Sequence, residues 1–302
     1  MELRDIEYFA VIAEHGNVRR AADTLEMSPP ALSKSLRRLE KAMQAKLVKR
    51  STKGVELTVV GSALLAQVRR IRLTLDDVAR EAADLSQGRA GHLRIGAGPT
   101  TAEYLLPTAY CALMEEAPNV TMEITVSDHD VMLPMLRNGS LDLIANHLGP
   151  AETDLEQEFL CDNAFVAFAS AVHPLAKKKQ VTLADLAQER WAMNSPSLAS
   201  QAWLFRTLEA SGLPRPRIVL TSRYHPLRFG IIASSRLLGF TSRRSVRQAA
   251  RTYPLAEIRA HGFPWIRRDG VIYRKDAYLS PAAQRFIEIL KSTAQNVTRK
   301  KQ

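Results

Sequence analysis

Residues 18–38 read VRRAADTLEMSPPALSKSLRR. Ala21, Ala22 and Leu25 recur at near-helical spacing, so residues 18–25 predict a short helix with an apolar stripe. Its small alanines let another helix cross closely. Glu26-Met27-Ser28 interrupts the pattern. Ser28 is a good N-cap, and Pro29-Pro30 suits a first helical turn, where missing N–H groups cost little. A second helix is predicted from about residue 29 to about residue 42, with Leu32, Leu36 and Leu39 at i, i+4 and i+7 as one buried stripe. Ser33, Lys34, Arg37 and Arg38 fall on the opposite side. Such a helix-turn-helix can hold a core with one face of its second helix and a phosphate-lined groove with the other, which points to duplex DNA.

Charge supports that reading. Between Arg19 and Lys53 there are ten cations against three acids, an excess suited to a phosphate-facing surface. A solvated basic face on an ordinary helical hairpin would show the same excess. The break, the cap and the stripe together favour the groove. Residues 47–57 (LVKRSTKGVEL) then place two short β-prone pieces around a polar turn containing Gly54, the pattern of a hairpin. A basic hairpin beside a recognition helix is a wing, and Arg50 and Lys53 are its candidate contacts to phosphate or the minor groove.

These pieces, MELRDIEYFAVIAEHGNVRRAADTLEMSPPALSKSLRRLE followed by LVKRSTKGVELTVVG, resemble the N-terminal domain of the LysR-type transcriptional regulators over residues 1–61, without a gap in spacing. The resemblance implies base contacts from Pro29, Pro30, Ser33 and Lys34 and backbone contacts from Arg37 and Arg50. Ser28, Arg38 and Lys53 complete the candidate DNA-binding set. The family usually has Gln where this chain has Pro29, so an amide able to pair with adenine is missing at that step.

From Thr58 the chain has no proline and only Gly61 before Gly88. Leu64, Val68, Ile71, Leu75, Val78, Ala82 and Leu85 repeat at alternating steps of four and three, a heptad seam over about three heptads. The seam is narrow and flanked by charge, and pairing of two copies would bury it. A two-fold dimer would then present two reading heads to a near-palindromic site. The alternative is packing against the chain's own globular part. The resemblance implies a linker helix paired between subunits, with a homotetramer as the larger assembly and RNA polymerase as a further candidate partner.

A length of 302 residues allows two or three domains with real cores. No apolar run approaches the length of a membrane span, and the N-terminus lacks a signal-peptide pattern, so a cytoplasmic protein is expected. Cys111 and Cys161 are the only cysteines and read as small hydrophobes rather than a redox pair. The family's redox-sensing members place cysteines near residues 194–203, where this chain has none. The net charge of +11 is uneven: residues 88–214 carry eight cations and fifteen acids, residues 215–275 fourteen cations and two acids. The second block suits a solvated basic surface, an anionic ligand, an acidic partner or wrapped DNA.

Residues 88–91 (GRAG) look like a hinge. Beyond it, strand character over residues 92–97, 120–127 and 141–145 alternates with helical character over 104–116 and 131–137, which argues a parallel sheet with crossovers. A second alternating set covers residues 165–170, 183–187, 191–194, 201–211, 218–222, 231–235 and 237–241, and residues 270–273 and 281–291 add a strand and a helix. In open α/β sheets, ligands sit beyond the carboxyl ends of the strands. Gly98-Pro99-Thr100-Thr101 lies at such an end and can hold a carboxylate or phosphate, although Thr100 with Glu103 also spells a ligand-free capping box.

The resemblance, weaker here but covering the rest of the chain, implies a two-lobed α/β effector domain like periplasmic binding proteins, with a small-molecule cleft between the lobes. By position, its cleft candidates are Thr100, Thr101, Ser127, Asn146, His147, Asn194 and Ser195. Arg223, after the strand 218–222, is an added candidate counter-ion for an anionic effector. The expected architecture is thus multidomain: an all-α-type winged helix-turn-helix over residues 1–58, a linker helix over 59–89, and an effector domain over 90–302. Its lobe I spans about 91–161 and 267–302, and lobe II about 162–266. Enzyme signals are poor. Thr101 stands where a dinucleotide fingerprint needs its third glycine, there is no HExxH, P-loop, G-x-S-x-G or CxxC, and the seven histidines lack metal-ligand spacing. No cofactor or metal is expected. A ligand-responsive transcription factor is the leading reading. A constitutive repressor or architectural protein and an enzyme with a fused DNA-binding head are the alternatives.

Overall fold

The computed structural model describes residues 2–51, 54–87, 91–194, 199–275 and 277–299, with the side chains of residues 3, 50, 51, 70, 80, 81, 83–87 and 297–299 left undescribed. The chain divides into two compact units, residues 1–82 and 83–302. Lys53, Ser195 and residues 88–90 of the expected hinge lie outside the described residues.

The first unit contains α1 (Leu3–His15), α2 (Val18–Thr24), α3 (Pro29–Ala42), the antiparallel hairpin β1 (Val48–Ser51) and β2 (Gly54–Leu57), and the start of α4 (Val59–Gln87). Asn17 caps α2 by accepting from the amides of Arg19 and Arg20, and Ser28 caps α3 by accepting from that of Ala31. The second of these helices therefore begins where the polar break before Pro29 predicts, while the Asn17 cap is a feature the sequence reading did not name. Leu32, Leu36 and Leu39 of α3 pack with Phe9 and Ile12 of α1 and Ala21 and Ala22 of α2 in one core. The hairpin is tied to this bundle by its backbone, Val55 N–H donating to Gly16 carbonyl at 2.8 Å. Glu40 receives the Leu47 amide at 3.0 Å and fixes where the hairpin starts.

A buried carboxylate joins α1 to α3. Asp5 has no exposed surface. It accepts from Ser35 Oγ at 2.6 Å and from Arg38 Nε at 2.8 Å, and Arg38 Nη2 also reaches its other oxygen. Arg38 was expected as an outward cation. Its guanidinium instead clamps α3 to α1, because an uncompensated carboxylate in that core would be costly.

The heptad seam also divides. Leu64 and Val68 pack into the core of the first unit beside Leu65. Ile71, Leu75 and Val78 are 49%, 56% and 55% exposed. The start of the seam thus serves the chain's own core, as the packing alternative expected, while its middle is uncovered. Leu85 is among the residues whose side chains are undescribed.

In the second unit, nine strands among the described residues form one sheet in the order β4-β3-β5-β11-β6-β9-β7-β8, with β10 also on β6. The lobe I strands β3 (His92–Ala97), β4 (Thr121–Val126) and β5 (Leu143–His147) run parallel, covered by α5 (Pro99–Tyr104), α6 (Leu106–Glu116), α7 (His129–Arg137) and α13 (Pro281–Arg299). Phe286 and Leu290 of α13 are fully buried there, each such side chain contributing about 1.5–3 kcal/mol. In lobe II, β7 (Arg190–Met193), β8 (Arg217–Thr221) and β9 (Leu238–Ser242) are again parallel. They are accompanied by α8 (Pro174–Lys177), α9 (Leu183–Gln188), α10 (Ala199–Ala210), α11 (His225–Ala233), α12 (Arg243–Ala249) and β10 (Leu255–Ile258).

Parallel sheet within each lobe is what the alternation predicts. What joins the lobes is antiparallel: β6 (Leu155–Ser170) and β11 (Trp265–Arg274) pair from Phe165–Trp265 through Leu155–Arg274. The stretch read as a strand over 165–170 is only the far end of this 16-residue strand. Its first half, LEQEFLCD, escapes the sequence reading because its acids look like loop residues. They are tolerated because Glu158 accepts from Tyr273 Oη at 2.7 Å and pairs with Lys291. The register shifts between Asp269 and Gly270. A Cβ at Gly270 would stand 2.3 Å from Glu158 carbonyl, so the bulge requires glycine. No helix among the described residues is long and apolar enough to cross a membrane.

The Asp5 clamp has a measurable consequence. Arg38 holds this carboxyl well below the usual range, assisted by Ser35 and against burial. Its stabilisation is therefore complete above the unfolded value of about 3.9 and is lost as pH falls toward the lower folded value. Asp5→Asn is expected to destabilise the first unit by about 1–2 kcal/mol at neutral pH, a deficit that shrinks in acid. Denaturant melts at pH 7 and pH 3 check this, and equal deficits at both would contradict it.

Candidate functional site

On the first unit, the outer surface of α3 is exposed at Ser28, Pro30, Lys34 and Arg37 and half-buried at Pro29 and Ser33. Two prolines set the first turn, and a three-leucine stripe turns the polar face outward. Among the described residues no acid pairs with Lys34 or Arg37, so both are available to an anionic groove. Arg38 is held on Asp5, and Arg50 sits in β1 with its side chain undescribed.

On the second unit, a narrow cleft with a cavity of about 30 Å3 lies between the lobes. From lobe I it is lined by Gly98, Pro99 and Thr100 at the start of α5, by Ser127, Asp128 and His129 before and in α7, and by Asn146 and His147 at the end of β5. From the crossing strands and lobe II come Phe165, Arg267, Asn194, Ser200 and His225. Carboxyl ends of parallel strands thus meet helix starts around one cavity, the expected place for a ligand. Gly98 allows the approach of α5: a Cβ there would stand 2.4 Å from Asn146 Oδ1, the atom that receives the His147 amide at 2.8 Å.

Arg267 is the central cation. Its Nη2 donates to Thr100 Oγ1 at 3.1 Å, its Nε donates to Asp269 at 3.0 Å, and its guanidinium lies 4.2 Å from the Phe165 ring centre. Asp269 is fully buried and also receives Tyr104 Oη at 3.2 Å and Asn163 Nδ2 at 2.8 Å. The rings of His129 and His147 lie 4.6 Å apart. Burial, then the charge of Arg267 and the neighbouring His129, pushes His147 down to about 3, and burial lowers His129. Both are neutral hydrogen-bonding groups at pH 7. Asn194 Oδ1 and His129 Nδ1 are buried without a hydrogen-bond partner among the described residues, acceptors or donors left for a guest.

One mouth of the cleft is closed by charges facing across the lobes. Glu103 receives Ser245 Oγ at 2.6 Å and approaches His225 Nδ1 at 3.2 Å. Burial opposes its ionisation, but His225 and Ser245 outweigh it and hold its carboxyl low. Asp128 pairs with Arg223 Nε at 2.8 Å. Arg228 is fully buried, donates to Ser222 carbonyl at 2.9 Å, and is pushed down to about 10 by burial.

The cleft brings together Thr100, Ser127, Asn146, His147 and Asn194 as expected by position. Three expectations change. Thr101 is fully buried and does not line the cleft, since its position on α5 points it into lobe I. Arg223 is matched to Asp128, so Arg267 is the cation that lines the cavity. Thr100 and Glu103 make no capping box, because Gly98 is the cap position of α5 and both side chains are drawn across to β11 and lobe II. Arg267, Asp269, His129 and His225 escape the sequence reading. The charged triplet Arg267-Arg268-Asp269 inside a strand is the available signal for the first two.

Comparison with known proteins agrees with both units. A family model described as bacterial regulatory helix-turn-helix protein, lysR family, matches residues 3–62, and one described as LysR substrate binding domain matches residues 86–295. The chain belongs to the LysR family. It is a LysR-type DNA-binding transcriptional regulator with a substrate-binding domain. This regulator is 27% identical over 294 residues to the RuBisCO operon transcriptional regulator of Allochromatium vinosum, covering 97% of each chain. It is 27% identical over 290 residues to the HTH-type transcriptional activator CmpR of Synechocystis, covering 95% of this chain and 94% of that one. Full-length CbnR complexed with its target DNA shares the fold, with a TM-score of 0.65 at 22% identity over 97% of this chain and 100% of that one.

The depressed His147 is directly testable in the LysR-type regulator. Its ring resonances are expected to show no titration between pH 5 and pH 8. A midpoint near 6.5 would mean that the cleft is wetter than its packing indicates.

Proposed function

We propose that this regulator binds promoter DNA as a dimer, assembling further to a tetramer, and responds to a small anion carrying a hydrogen-bond donor in the cleft. The chain is read as a reading head (1–58), a linker helix (59–89) and an effector domain (90–302). The observation that carries the effector reading is the pairing of Arg267 and Thr100 with buried, unpartnered Asn194 and His129 atoms in one cavity. A guanidinium, a hydroxyl and a helix start favour a carboxylate or phosphate. The unpartnered amide oxygen favours a hydroxyl or amine on the same molecule. Binding closes the lobes further by mass action on whichever lobe arrangement makes these contacts.

For DNA, Pro29, Pro30, Ser33 and Lys34 of α3 read bases and Ser28, Arg37, Arg50 and Lys53 serve the backbone, while Arg38, held on Asp5, is left out of the set. The uncovered stripe Ile71, Leu75 and Val78 supports pairing of α4 between copies, and RNA polymerase is the partner through which a bound regulator acts. The overall test is a footprint on the regulator's own upstream region, run with a panel of organic acids and phosphorylated acids. A footprint or thermal transition that shifts with a panel member, and not in Arg267→Gln, supports the reading. Indifference to the whole panel would leave a constitutive DNA-binding protein.

Two variants separate the DNA contacts from assembly. Lys34→Ala is expected to weaken operator binding unequally across base variants, by about 1–3 kcal/mol at its own step. Uniform weakening would make Lys34 a phosphate contact only. Leu75→Glu is expected to shift the protein toward monomer in sedimentation at micromolar concentration, and an unchanged dimer would remove α4 from the interface.

A further inference from the structure

Arg247 and Arg251 have no carboxylate partner among the described residues, although their neighbour Arg243 is bonded to Glu257 at 2.9 and 2.7 Å. They stand with Arg244 at i, i+3 and i+7 along α12 and the turn after it, so all three face the same way. What they face is a groove of about 260 Å3 whose opposite wall is Tyr104 of α5, with Gln248 as a further polar group. The Arg244 guanidinium lies 4.5 Å from the Tyr104 ring centre. Glu103 also lines the groove, but both its oxygens are engaged, by His225 and by Ser245. Three cations therefore converge on a concavity whose one lining acid is already bonded elsewhere.

We infer that this groove is a second binding site, for a small multivalent anion, connected to the effector cleft through the buried Asp269. Its size is near the lower end of small-molecule pockets and suits a compact anion. An acidic peptide or a DNA duplex would need a longer surface than the two turns of chain that carry these arginines. Guanidinium groups and an amide suit phosphate and carboxylate oxygens alike. The connection is one cation–π contact followed by hydrogen bonds. Arg244 rests on Tyr104, Tyr104 Oη donates to Asp269 at 3.2 Å, and Arg267 Nε donates to the same carboxylate while its Nη2 holds Thr100 in the cleft. A second strand of the network runs from the Arg244 amide to Ser242 Oγ at 3.2 Å, from Ser242 Oγ to Asn163 at 2.7 Å, and from Asn163 to Asp269 at 2.8 Å. An anion that draws on Arg244 thus changes how Asp269 shares itself between Tyr104 and Arg267. Two sites that share one carboxylate are coupled, and the coupling is reciprocal.

The groove stands without the effector reading; only the coupling rests on it. The experiment is calorimetric titration of the full-length protein with inorganic phosphate and, separately, with citrate. The variants are Arg247→Gln/Arg251→Gln and Thr100→Val, with circular dichroism to confirm the fold of each. Binding of either anion that persists in Thr100→Val and weakens by about tenfold or more in the double variant supports the site. The anion that binds, phosphate or citrate, assigns the source of the charge. Binding unchanged in the double variant, or no binding of either anion, overturns it. So does a double variant that loses only poly-glutamate or duplex DNA. For the coupling, saturation of the groove in Thr100→Val is expected to shift the ring resonances of His147, beside Arg267. Tyr104→Phe, which keeps the ring under Arg244 and removes the hydroxyl, is expected to bind the anion and abolish the shift. No shift with the hydroxyl present would sever the groove from the cleft. Loss of cleft binding alone in Thr100→Val leaves the groove assignment untouched.

Discussion

The carboxylate of Asp269 is the constraint on which the second unit depends. Among the described residues, β6 and β11 are the strands that run from one lobe into the other, and Asp269 sits at the bulge where their register shifts. A buried charge there would be prohibitive without donors. Tyr104 comes from lobe I, Asn163 from the crossing strand β6, and Arg267 from β11 itself. Satisfying one carboxylate therefore orients α5, registers the two crossing strands and aims Arg267 at Thr100. The cleft's cation is where it is because Asp269 has to be neutralised locally.

The first unit solves a related problem with Asp5. There, a buried acid on α1 recruits Ser35 and Arg38 from α3 and sets the angle at which the recognition helix leaves the core. An arginine that looks like a nucleic-acid contact in the sequence is occupied by a carboxylate thirty-three residues away. Lys34 and Arg37, one turn or less from it, are left facing outward.

What was legible follows from what is local. The polar break before Pro29, the leucine stripe of α3 and the hairpin at Gly54 are decided by neighbours a few residues apart, and they appear within a residue or two of where the sequence placed them. The cleft was legible only in part. Thr100, Ser127, Asn146, His147 and Asn194 follow strand ends, which alternation locates. Thr101 and Arg223 fail because orientation within a turn and the choice of ion partner are tertiary facts. The first half of β6 stayed hidden because its glutamates find Tyr273 and Lys291 far along the chain. Asp269 and Arg267 carried a signal, charge inside a strand, whose meaning requires knowing that the strand crosses between lobes. Helix α12 and strand β10 lacked a long enough apolar period to stand out.

The start of α3 has one further consequence. Helix starts ordinarily grip a phosphate through free main-chain amides. Here the first two positions are prolines, and the next amide, that of Ala31, is bonded to Ser28 Oγ. The start of α3 thus has a main chain with almost nothing to donate. In the proposed docking, alignment on a duplex falls to long, rotatable side chains, a grip that relaxes as salt screens their cations.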